Sequence, residues 1–86
     1  MKQRMVNHCQ CPICLSSRDH PDKDLHRQIN LLISIMNAKQ RRWFVAIEAN
    51  RIGRGGLVKL SLITGLDRKT IHKGISEMKE LHHENY

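Results

Sequence analysis

Aromatic side chains are nearly missing from this chain: one Trp, one Tyr and one Phe in 86 residues. Its core must therefore come from Leu, Ile and Met, which helices pack readily, and this argues against an all-β architecture. Long hydrophobic runs are missing too. The longest, Leu31-Leu32-Ile33-Ser34-Ile35-Met36, contains a serine and falls far short of the roughly 20 apolar residues of a membrane-spanning helix. The opening MKQRMVNHC is positively charged but leads into no apolar stretch, so it does not read as a secretory signal. The expected setting is a reducing bacterial cytoplasm, where three cysteines serve as thiols or metal ligands rather than disulfides. Acidic residues are scarce as well. Eight Asp and Glu face 15 Lys and Arg, for a net charge of +7. That balance makes a polyanion the default partner, nucleic acid before an anionic membrane, because each neutralised phosphate releases condensed counterions.

Both prolines, Pro12 and Pro21, and all three cysteines fall before residue 24, in a stretch with no helical or strand period. Residues 1–24 read as a Cys/His-rich arm, residues 25–81 as one helical domain, and residues 82–86 as a tail. From Leu25 the apolar positions Leu25, Ile29, Leu32, Ile33 and Met36 share one helical face. Asn37 followed by Gln40 reads as a capping box, predicting a second helix from about Ala38 to Arg51. Its inward face is expected at Trp43, Phe44, Ile47 and Ile52, with Arg41 and Arg42 outward. Gly53-Arg54-Gly55-Gly56 ends it, and a short third helix is expected from about Leu57 to Thr64. The fold class is thus all-α, a small helical bundle.

The stretch GLDRKTIHKGI, residues 65–75, carries the functional signal. A helix-turn-helix needs a very short turn, a glycine in a left-handed conformation and small or apolar residues where its helices meet. Gly65 fits the turn, Leu66 the apolar plug and Ser61 the close approach, while Asp67 suits an N-cap. Ile71, Ile75 and Met78 face inward. Arg68, Lys69, His72, Lys73 and Ser76 are left outward, where Arg and Lys suit guanine edges and the Thr70 hydroxyl suits phosphate. The expected contacts are Arg68, Lys69 and Lys73 to bases, with Thr70 and His72 nearer the backbone. Charge alone is weaker ground, since Glu77 and Glu80 share the outer face and a solvated helix looks similar.

The run MNAKQRRWFVAIEANRIGRGGLVKLSLITGLDRKTIHKGISEM resembles the N-terminal region of the ISAzo-type family of bacterial insertion-sequence transposases. The residues that carry it include Asn37, Gln40, Arg41, Arg42, Glu48, Gly53, Arg54, Gly55, Gly56, Gly65, Arg68, Thr70, Ile71 and Gly74. The resemblance implies binding of double-stranded DNA at the terminal repeats of a mobile element, with Arg54 on a phosphate. Family members continue into a catalytic domain with three metal-binding acidic residues, which this sequence does not contain, so no enzyme activity is expected here. A host transcription regulator and a zinc-held protein-interaction module are the alternatives.

The arm itself holds His8-Cys9-Gln10-Cys11-Pro12-Ile13-Cys14, then His20 and His26. A C-P-x-C knuckle aims two thiolates at one tetrahedral ion, so Cys11 and Cys14 are candidate zinc ligands, completed by His20 and His26, or by Cys9 and His8. No second C-x-x-C follows, and an unstructured arm is the competing expectation. The apolar helix beginning at Leu25 either closes the monomer's core or pairs with a copy of itself as a homodimer.

Overall fold

A computed structural model describes residues 5–85, and the side chains of residues 5–83. Within those bounds the chain is all-helical: α1 Pro12–Leu15, α2 Pro21–Ser34, α3 Ala38–Ile52, α4 Gly56–Thr64 and α5 Arg68–Asn85. Helix α3 lies at the centre and packs on both α4 and α5, while α2 closes one side and α1 rides on α2.

Local chemistry explains the boundaries. Pro21 occupies the first turn of α2, where its missing N–H costs nothing and its fixed φ suits the helix. The His20 ring accepts from the Asp22 N–H at 3.0 Å, and Asp22 and Asp24 sit at the positive end of the helix dipole. Helix α2 therefore starts four residues before the expected Leu25 and runs straight through the arm boundary expected at 24. At its other end Arg41 donates to the carbonyls of Ile33 at 3.1 Å and Met36 at 2.7 Å, so this expected outer cation is a helix C-cap. The capping box of α3 forms as its sequence predicts, with Gln40 N–H to Asn37 Oδ1 at 2.8 Å and Asn37 N–H to Gln40 Oε1 at 3.1 Å.

The core is Ile29, Ile33, Val45, Ala49, Leu60, Ile63 and Ile71. Two helix faces differ from expectation. On α2 the buried stripe is His26, Ile29, Asn30 and Ile33, leaving Leu25 and Leu32 more than 40% exposed. On α3 it is Val45, Ala46 and Ala49, while Ile47 is 52% exposed and Trp43 and Phe44 are half-buried. Close backbone approach selects the small residues on α3. A Cβ at Gly74 of α5 would fall 2.5 Å from the Arg42 carbonyl oxygen, so only glycine lets these two helices meet there. Where they meet, Glu77 accepts from the Arg42 guanidinium, at 3.1 Å for the Nη2 bond, and from the Trp43 indole N–H at 3.2 Å. Glu77, expected as a solvated outer charge, is thus a half-buried bridge between helices.

Helices α4 and α5 are joined by three residues, Gly65–Asp67. Gly65 has φ of 75°, the left-handed region, and its N–H closes on the Ser61 carbonyl at 2.9 Å. The Ser61 hydroxyl donates to the Leu66 carbonyl at 2.8 Å, and Asp67 Oδ1 accepts from the Lys69 N–H at 3.1 Å. Helix α5 continues to Asn85, so the residues expected as a tail from 82 extend the helix, and residue 86 lies outside the described residues, as do residues 1–4 of the expected arm.

Candidate metal centre and basic helix

Four potential ligand atoms converge beside α2. Cys9, Cys11, Cys14 and His26 each offer one, and all four lie within 4.8 Å of one another. The sequence puts three thiols in a short C-x-C-x-x-C segment, and α1 folds it back by a single turn capped by Cys11. His26 comes from the buried stripe of α2, one turn before Ile29 and Asn30, and is only 3% exposed. The helix that carries the core also carries the fourth ligand.

The number of short contacts to one His26 nitrogen favours coordination over hydrogen bonding alone. His26 Nδ1 lies 3.5 Å from Cys9 Sγ, 3.5 Å from Cys11 Sγ and 3.3 Å from Cys14 Sγ. One imidazole nitrogen has one lone pair or one proton, so a hydrogen bond accounts for one of these contacts and leaves two. A tetrahedral zinc with Zn–S near 2.3 Å and Zn–N near 2.1 Å places each sulfur about 3.6 Å from the nitrogen, which fits all three. Peptide N–H groups add support for charged sulfur: Cys11 N–H points at Cys9 Sγ at 3.4 Å and Cys14 N–H at Cys11 Sγ at 3.5 Å.

Electrostatics lead to the same place. Burial, with the neighbouring thiols, pushes Cys9 up to about 12, and burial also raises Cys14. At Cys11 burial again opposes ionisation, but the Cys14 N–H and the other two thiols outweigh it and lower the value. Burial holds His26 below its ordinary value, which favours the neutral ring that a metal ligand requires. Three thiols this close cannot all ionise without a cation among them; a soft, borderline divalent ion such as zinc would supply that charge. Cys9, Cys11, Cys14 and His26 would together fill the four positions of a zinc ion, leaving none for water or substrate, the pattern of a structural site.

Three of the four expected ligands are therefore together: Cys11, Cys14 and His26. His20 is not among them, because its Nδ1 is occupied capping α2 and lies 3.8 Å from Asp22 Oδ2. Cys9 takes that place, one of the two residues of the alternative pairing; the other, His8, is exposed and outside the group.

No protein-family model, curated protein or solved structure matches the chain.

The expected DNA-contacting residues lie on two different elements. Arg68, Lys69, His72 and Lys73 are exposed on the first turns of α5, and Thr70 is half-buried beside them. The opposite face of the same turns carries Ile71, which is fully buried, and Ile75, which packs on the core. Arg54 is exposed on the separate turn between α3 and α4, next to Gly53 at φ of 82°. Arg42 is withdrawn from the cationic surface by Glu77, and Lys39 lies over the Trp43 ring at 4.7 Å.

Proposed function

We propose that the chain is a metal-stapled module that binds double-stranded DNA, with α4, the turn and α5 acting as a helix-turn-helix and α5 entering the major groove. The observation that carries this reading is the division of α5's first turns: Ile71 inward, Arg68, Lys69, His72 and Lys73 outward, directly after a three-residue turn. A helix N-terminus with exposed cations suits phosphate and guanine together. Arg54 would meet the backbone to one side. In this reading the metal is structural, and the module binds DNA without cutting it. Binding at the ends of a mobile element, as the transposase resemblance implies, and binding at a promoter in the bacterial nucleoid use the same surface.

The test is fluorescence anisotropy of the zinc-loaded protein on a labelled duplex over a salt series. Affinity should fall linearly with salt on logarithmic axes, and the Lys69→Ala, Lys73→Ala double variant, having lost two base contacts, should bind more weakly and discriminate less between duplex sequences. Affinity indifferent to salt and to both substitutions sinks the proposal.

A second reading, pairing of α2 with a copy of itself, is favoured by Leu31, Leu32 and Ile35, which are 50%, 41% and 70% exposed. Sedimentation equilibrium decides it. Dimer mass lost on Leu32→Lys supports pairing; monomer mass up to the solubility limit ends it. No helix among the described residues is long and apolar enough to cross a membrane.

A further inference from the structure

A helix leaves its last carbonyls without partners inside itself. At the end of α4, just before the turn, two of these are satisfied from the N-terminal segment. The Gln10 N–H donates to the Leu62 carbonyl at 2.9 Å, and the Asn7 side-chain amide donates to the Ile63 carbonyl at 3.1 Å. Asn30 of α2 donates to the same Ile63 oxygen at 2.8 Å. Asn7 also roofs the turn: a Cβ at Gly65 would lie 2.7 Å from its Oδ1. Both Asn7 and Gln10 are exposed, so their own burial does little to hold them there. What holds them is sequence position. They flank Cys9, and Cys11 follows at once, so two of the four metal ligands fix the segment that caps α4.

We infer that Asn7 and Gln10 are positioning residues for α5, seated by the Cys9, Cys11, Cys14, His26 centre. Filling the centre fixes the end of α4 and the turn Gly65–Asp67, and so the direction in which Arg68 and Lys69 leave the fold. The inference rests on the DNA-binding reading for its use but not for its geometry. A metal centre placed only to stabilise an arm would leave the turn unaffected.

Amide hydrogen exchange of the full chain, with zinc and with chelator and without DNA, tests the geometry. Zinc should slow exchange at residues 65–70, outside the ligand segment. Asn7→Ala touches no ligand, so it should still bind one zinc per chain yet exchange roughly fivefold faster at those amides, the factor expected for one lost hydrogen bond. Duplex affinity should weaken by a similar factor. Because Gly65→Ala places a methyl against Asn7, its destabilisation should shrink when Asn7 is already Ala. Exchange at 65–70 that ignores zinc, or an Asn7→Ala protein that matches wild type there, overturns the inference. If exchange follows zinc and Asn7 but the wild type binds no duplex, the positioning role stands and the DNA reading alone falls.

Discussion

Residues 5–20 and the helices that follow are held together by opposite means. In the first region Cys11 is the only buried residue, and order comes from four ligand atoms converging on one point. In the second, Ile29, Ile33, Val45, Ala49, Leu60, Ile63 and Ile71 form a continuous apolar core in which each contact is weak and their sum is large. A short chain cannot bury enough surface everywhere. Where apolar residues run out, four groups able to hold a metal ion converge instead, and His26 joins the two schemes by sitting on the same helical stripe as Ile29 and Ile33.

The largest expected effect tests whether the two regions are separable. Cys14→Ser, or chelation at neutral pH, should reduce the zinc seen by native mass spectrometry from one per chain to none. It should cost on the order of several kcal/mol, since structural zinc sites bind with apparent free energies of about 10–16 kcal/mol. Exchange protection should vanish across residues 7–16 and persist between α3 and α5. Simultaneous loss of both would show one cooperative unit and abolish the contrast. The complementary substitution, Ile71→Ala, empties a fully buried site in the core. It should lower unfolding free energy by about 2–5 kcal/mol in denaturant titration while zinc stoichiometry stays at one.

The two regions also differed in how legible they were. Two helix starts could be read directly, since Asn37 and Gln40 announced α3 and Gly65, Leu66 and Asp67 announced the turn before α5, but the start of α2 at Pro21 was missed. Helix faces could not be read as well. Ile47 looked inward by apolar type, but close packing of Gly74 against α3 rotates the buried stripe to Val45, Ala46 and Ala49, where side chains are small enough. Glu77 looked like a solvated charge because its partners, Arg42 and Trp43, are 35 and 34 residues away in sequence. At the metal centre, spacing located Cys11, Cys14 and His26, yet His20 looked as good as Cys9. The deciding fact was that Pro21 begins a helix and takes the His20 ring as its cap, a competing use that a ligand-spacing argument does not weigh.

A smaller effect sharpens the same division from the helical side. Asn37→Ala removes the side-chain half of the α3 capping box and should cost about 1 kcal/mol, seen as a lower denaturant midpoint at unchanged slope. The loss should be equal in zinc-loaded and chelated protein, because the two capping bonds run between Asn37 and Gln40 alone and involve no residue of the metal centre. A cost that depended on zinc would mean that the metal's influence extends into α3.

The smallest effect is confined to the helical half and carries its own probe. The Arg42 guanidinium, with the Trp43 indole N–H, holds the Glu77 carboxyl below its ordinary value of 4.5 against the opposing effect of burial. A carboxyl depressed in the folded state stabilises above its unfolded value, and that contribution disappears as pH falls through the folded value. The stability difference between wild type and Glu77→Gln should therefore be constant near neutrality and shrink below about pH 4.5. Acid also displaces metal from the thiolates, but equally in both proteins, so the difference isolates the pair. Trp43 is the only tryptophan in the chain and donates to Glu77 at 3.2 Å, which makes its fluorescence a local reporter. If its emission follows the acid titration of Glu77 and ignores chelation at neutral pH, the bridge between α3 and α5 is independent of the metal. If it responds to chelation, coordination at Cys9 is felt across the whole bundle, and the arm and the core are one structure.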